Sequence, residues 1–304
     1  MGPRLVFLSL VWFFGFRLVP TAGDPGRDLC KIYNGGLKCS AVSSQYFPYD
    51  LFLSFNDDLV RFTHEMKFLQ IESSNISVLQ SRSFQSTPSL SQIILSEISL
   101  MEIEQGAFGG LNRLKLVDLS HNLLRSIPVD LFKHTKIIRL SLEGNELVVP
   151  ESAPLLSAKY LNSLSLKNCS IRYLSDYTFG ELPALMHLDL SHNQLNSMPL
   201  KIFYSLKHLT HLDLSHNQFT TLNINIFKSI PSFPKFPTFV ILANNPWDCD
   251  CALSELSEWV TRNRVTEEWT EIPRDSRLKR TVTCFTSHKL SWNSEQFRQL
   301  MSAC

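Results

Sequence analysis

The sequence predicts an α/β solenoid: stacked coils with a curved parallel β-sheet on the concave face, and irregular turns and short helices on the convex side. Three observations carry that prediction. The pattern L-x-x-L-x-L-x-x-N-x-L returns eight times, with first positions at Met66, Leu90, Leu114, Ile137, Leu161, Leu185, Leu209 and, irregularly, Pro237. Successive units are thus 24, 24, 23, 24, 24, 24 and 28 residues apart. A second column lies eighteen residues after each first position: Phe84, Phe108, Phe132, Leu155, Phe179, Phe203 and Phe227. Third, six of the seven cysteines flank the repeating segment, as ties at the two ends would. A unit of this size cannot bury its apolar face alone, whereas stacked units share one continuous core.

The first 23 residues are expected to be a secretory signal peptide. Arg4 precedes an apolar stretch from Leu5 to Phe16, and Thr21 and Gly23 supply small residues for cleavage. The stretch is shorter than the roughly 20 residues a spanning helix needs, and Arg17 interrupts it. No later run qualifies, so the mature chain is expected to be soluble, secreted and extracellular. An uncleaved anchor is the weaker alternative. The remaining organisation is read as an N-terminal cap over 24–65, eight repeats over 66–247 and a cysteine-rich cap over 248–304. A formal net charge of +1 points toward neither nucleic acid nor an anionic membrane.

Within each unit the alternation of apolar positions fits a short strand, as in Leu188-Asp189-Leu190 and Leu212-Asp213-Leu214. Leucines on alternate positions turn inward while the aspartates between them face outward. The ninth position follows the strand, where the backbone bends under cover. It is Asn122, Asn145, Asn193, Asn217 or Asn245 in five units, and an amide there satisfies unpaired backbone groups. Ser74 and Ile98 depart from this rule, so the first two units are expected to be less regular. Cys169 holds the same place in the fifth unit and is read as a buried structural thiol rather than a reactive one. The Phe column is read as a core spine under the convex side. Pro150, Glu151 and Pro154 alter the outer side of the 23-residue unit. The stretch 228–238, with three prolines and four extra residues, is expected to form a bulged outer loop.

Both ends of such an array need covers. Cys30 and Cys39, with Leu37 between them, are read as closing the first cap by a disulfide. At the far end, Asn245 to Cys251 leads into Leu253, Leu256, Trp259 and Val260 at helical spacing, one face of which would pack across the last coil. Cys249, Cys251, Cys284 and Cys304 allow three pairings on composition alone.

The Leu-Asp-Leu-Ser-His-Asn motifs at 188–193 and 212–217, with the segment from Asn245 to Trp259, resemble extracellular leucine-rich repeat proteins of the typical 24-residue class. The resemblance covers nearly all of the mature chain and implies Cys249–Cys284 and Cys251–Cys304 disulfides in the last cap. Within that class, the short length and irregular last repeat are similar to leucine-rich alpha-2-glycoprotein and the snake-serum phospholipase inhibitors. Toll-like receptor ectodomains share the repeat.

Outward strand positions define where a ligand would sit. The third position reads Phe68, Gln92, Leu116, Arg139, Ser163, His187, His211 and Phe239, and the fifth reads Gln70, Ile94, Asp118, Ser141, Ser165, Asp189, Asp213 and Ile241. His187 with His211, and Asp189 with Asp213, are expected to be lateral neighbours, and Arg139, His187, Asp189, His211 and Asp213 form the candidate ligand-binding set. Phe68, Ile94 and Leu116 make the early repeats more apolar. A divalent cation on this His and carboxylate patch is the weakest reading and a basic partner surface the next. The preferred reading is that Asp189, His192, Asp213 and His216 are repeat consensus and solvated. Asn75-Ile-Ser77 and Asn168-Cys-Ser170 are sequons, with Asn75 expected to be exposed and Asn168 near the strand edge.

No nucleophile elbow, zinc-protease helix or phosphate-binding loop occurs, and neither cofactor nor metal is expected. The Cys-x-Cys pair with His288 favours disulfides over zinc in a secreted chain. The sequence therefore points to a non-catalytic extracellular binder of another protein, acting as inhibitor, signalling modulator or innate-immune factor. A structural matrix component is the second class, and a soluble pattern-recognition decoy the third.

Overall fold

The computed structural model describes residues 31–33, 35–40, 43–46, 64–228, 230, 239–248 and 255–256. The expected signal peptide, Cys30, the four C-terminal cysteines, most of the C-terminal cap, and the proline-rich stretch apart from Lys228 and Ile230 lie outside these residues. In chain order the strands are β1 (Lys31–Tyr33), β2 (Gly36–Ser40), β3 (Ser43–Tyr46), β4 (Phe68–Glu72), β5 (Asn75–Leu79), β6 (Gln92–Ser96) and β7 (Glu102–Ile103). They continue as β8 (Leu116–Asp118), β9 (Arg139–Ser141), β10 (Ser163–Ser165), β11 (His187–Asp189), β12 (His211–Asp213) and β13 (Phe239–Ile241).

Ten of them form one sheet in the order β1-β2-β4-β6-β8-β9-β10-β11-β12-β13. Only the β1–β2 hairpin is antiparallel. From β2 onward every pair is parallel and in register, with Leu164 opposite Leu188 and Leu188 opposite Leu212. Each strand begins at the third position of a unit, so the fold is the parallel solenoid that the repeat predicts. Gly36 stands where β2 meets Phe68 of β4, and a Cβ there would lie 2.5 Å from the Phe68 carbonyl oxygen. Cys39 is buried in β2 and disulfide-bonded.

Leucines at the first, fourth and sixth positions make the core: Leu185, Leu188 and Leu190 are at most 2% exposed, as are Leu209, Leu212 and Leu214. The second column is buried throughout, and Phe84, Phe108 and Phe132 stack with centroids 5.5 and 5.1 Å apart. Leu155 interrupts the stack. The convex side is made of irregular turns with little helix. Its segments are single turns closed by bonds such as Ala107 N–H to Glu104 O and Gly109 N–H to Gly106 O, with a four-residue helical turn at Asn225–Lys228.

The first coils also differ from expectation. Far from being less regular, β4 and β6 are five residues long, against three for β8 to β13. A second sheet, β3-β5-β7, runs beside them.

One backbone feature repeats in all eight units. The eighth position is left-handed at Ser73, Glu97, His121, Gly144, Asn168, His192, His216 and Asn244, with φ between 46° and 73°. The reversal turns the ninth side chain inward immediately after the strand. Only Gly144 occupies this place without a side chain, and a Cβ there would lie 2.5 Å from His121 Nδ1. Gly144→Ala therefore adds a left-handed penalty and displaces an exposed ring. A loss of about 1–2 kcal/mol is expected in urea denaturation; an unchanged midpoint would refute the strain.

Candidate functional site

The outward face of the ten-stranded sheet collects the third- and fifth-position side chains. Phe68, Ile94 and Leu116 are half-buried rather than exposed, because neighbours in adjoining strands cover them laterally. Arg139 is exposed. The register sets His187 against His211 and Asp189 against Asp213. Arg139 is two strands away, separated from His187 by β10. The five candidate residues are thus a four-residue cluster and one outlying cation.

Within the cluster the groups serve one another. The two imidazoles stack with centroids 4.3 Å apart and planes 17° from parallel. Thr210 Oγ1 lies 2.9 Å from His211 Nδ1. Each aspartate accepts the backbone N–H two residues on, Ser191 to Asp189 and Ser215 to Asp213, both at 2.9 Å. Asp118 makes the same bond to Ser120 outside the cluster. A carboxylate at the fifth position thus closes the turn after the strand wherever it occurs. Beside these aspartates, Lys167 is ion-paired to Glu143 at 2.8 Å. Its pKa is raised chiefly by that hydrogen bond and, after some opposition from burial, by the charges of Glu143, Asp189 and Asp213.

Burial, and then the charge of His187, hold His211 below the ordinary imidazole value of 6.5. The unfolded chain takes up this proton more readily, so stability is kept above the ordinary range and lost as pH falls through 6.5 toward the lowered folded value. Denaturation midpoints measured from about pH 8 to 5 should fall, and fall less in His211→Gln. Identical slopes would remove His211 from the account.

A second imidazole pair was not anticipated. His192 and His216 stack with centroids 4.0 Å apart and planes 11° from parallel, and Asn244 Nδ2 lies 2.9 Å from His216 Nε2. Equal positions in adjoining units foretell this contact from the sequence. Asn75 and Asn168 are both exposed, at the tenth and eighth positions of their coils. Cys169 is buried and free, its Sγ 3.1 Å from Leu142 O, and burial pushes the thiol up to about 12. It is a structural group. Among the described residues no three His, Cys, Asp or Glu side chains cluster to hold a metal.

The family profile described as leucine rich repeat matches residues 64–124, 88–147 and 159–219. The coils within those spans are leucine-rich repeats. Over 225 residues the chain is 28% identical to trophoblast glycoprotein of Macaca fascicularis, covering 66% of this chain and 53% of that protein. It is 28% identical over 198 residues to CD180 antigen of Mus musculus, covering 64% and 29% respectively. The chain thus spans about half or less of these relatives. Among solved structures, human trophoblast glycoprotein, also titled Wnt-activated inhibitory factor 1, superimposes with a TM-score of 0.63 at 25% identity. That match covers 92% of this chain and 97% of that one. These relatives are cell-surface or extracellular leucine-rich repeat proteins, and they give no support to the nearer likeness with the plasma glycoprotein and snake-serum inhibitors.

Proposed function

We propose that this protein is a secreted, non-catalytic binder that holds another extracellular protein on the concave sheet and its flanking edges. The observation that carries this reading is the unevenness of one uninterrupted sheet face. Half-buried Leu116 stands opposite exposed Arg139 in the adjoining strand, with half-buried Ile94 one strand further on, and the repeat consensus requires none of the three there. An apolar centre with a charged neighbour is the composition of a protein-binding patch. His187, Asp189, His211 and Asp213 then border the contact and hold the sheet surface in shape. The relatives support a binding rather than a catalytic role. An inhibitory or signalling role follows the name of one relative and is part of this proposal, as are the Cys30–Cys39, Cys249–Cys284 and Cys251–Cys304 disulfides and glycans at Asn75 and Asn168.

The test is affinity capture from extracellular fluid of the source organism with the full glycosylated chain, quantified by mass spectrometry. A Leu116→Glu/Arg139→Glu variant serves as the comparison. A stoichiometric protein retained by the parent and lost by the variant is expected. Equal retention by both would move the binding face elsewhere.

A further inference from the structure

The flank where the convex turns feed the strands carries an unbalanced row of cations. The second positions of successive coils are laddered, Ile138 N–H to Lys115 O, Asn162 to Ile138, Met186 to Asn162 and Thr210 to Met186, so residues just before the strands align from coil to coil. Arg113 and Lys136 stand one residue ahead of their first positions, and Lys159 and Lys207 two residues ahead. All four are exposed. Lys115 extends along the same edge, with Nζ 3.4 Å from Lys136 O. Among the described residues none of these five forms an ion pair with a carboxylate. The sixth coil has Pro183 here instead of a cation. It opens a recess of about 510 Å³, lined by Lys159, Gly180, Glu181, Pro183, Tyr204 and Lys207.

The opposite flank is different. There Glu72 is paired with Lys38 at 2.7 Å, Glu143 with Lys167 at 2.8 Å and Glu146 with Arg125 at 3.5 Å. Those three carboxylates are already partnered, whereas the cations of the basic row are not.

We propose that the row and its recess bind a linear sulfated polysaccharide. Cations on four of five successive coils, spaced in multiples of roughly 4.8 Å, match an extended anionic chain laid along the edge rather than a compact ligand. A single-stranded nucleic acid asks for a ring under successive bases. The Tyr160 ring already sits 5.6 Å from Lys159 Nζ, which leaves the Tyr204 ring to pack against a sugar face. Glu181 limits the recess to a part of the polymer that carries no charge.

The probe is a heparin-derived octasaccharide, titrated into the full glycosylated chain by calorimetry at low salt. Binding is expected, weakening as ionic strength rises through about 0.5 M, because exposed charges are screened there. Lys136→Gln/Lys159→Gln/Lys207→Gln should lower affinity at least about tenfold, while Arg125→Gln/Arg172→Gln on the other flank should leave it unchanged. All the exchanged side chains are exposed, and an unaltered thermal midpoint verifies the fold. No binding, equal loss in both variants, equal binding of the desulfated octasaccharide, or tighter binding of single-stranded oligothymidylate would each overturn the proposal. Salt-insensitive binding would overturn it even if the triple variant failed to fold.

Discussion

Asn193→Leu is expected to destabilise the protein by about 3–5 kcal/mol, with the loss centred on the fifth and sixth coils. The side chain is 6% exposed and every polar atom is engaged. Its Oδ1 accepts the backbone N–H of Cys169 and of Ile171, both at 3.0 Å. Its Nδ2 donates to Leu166 O at 2.8 Å and Leu190 O at 2.9 Å. Leucine has nearly the same shape but leaves two amides of the preceding coil without an acceptor and gives water no room to replace it. A buried group stranded in this way costs about 1–3 kcal/mol. Urea denaturation gives the magnitude, and hydrogen exchange at Cys169 and Ile171 gives the location. Exposed Asn196→Leu is the control and should change little. If the two variants behave alike, the ninth-position asparagine does not hold coil to coil.

Units lacking that asparagine show why it matters. At Cys169 the sulfur reaches Leu142 O, and the residue's own carbonyl accepts Leu147 N–H at 3.1 Å, so the preceding coil is not left unsatisfied. At Ile98 no polar side chain is available. Ile76 N–H goes to the Ile98 carbonyl at 2.7 Å, and Met101 N–H to Ser77 O at 2.8 Å, alongside the β5–β7 pairing. Asn122 of the next coil then supplies an acceptor for the Ile98 and Leu100 amides. The second sheet stands where side-chain amides are missing. Backbone pairing and asparagine are two solutions to one requirement.

That exchange explains what was legible in the sequence. Leucine periodicity dictates which side chains face inward, and arithmetic on it aligns neighbours, so the core, the Phe column and the His187–His211 contact could be read directly. Missing amides at Ser74 and Ile98 were equally visible, but whether the backbone would fray or pair was not. The answer depends on β3 and β5 meeting across more than thirty residues. The aspartates of the candidate site were misleading in another way. Their outward position suggests availability, whereas the bonds to Ser191 and Ser215 depend on the turn that follows. Paired carboxylates on the far flank left the basic row hidden in a net charge of +1.

Phe108→Ala should lower stability by about 3–5 kcal/mol, the range for deleting a buried ring. Phe108 is fully buried between Phe84 and Phe132, with planes 11° and 22° from parallel to its two neighbours. Two stacking contacts vanish with one substitution. Because each coil touches only its neighbours, the damage should be local before it is global. Amides from Ile93 to Leu140 should exchange faster, while those of β11 and β12 keep their protection until the whole array opens. Phe108→Leu should cost much less, since the 23-residue coil already closes over Leu155, which is 3% exposed. Uniform loss of protection along the chain would show that the coils open as one unit. A shift below about 1 kcal/mol for the alanine variant would show that the convex turns collapse to fill the space, and that the spine is less tightly packed than its stacking implies.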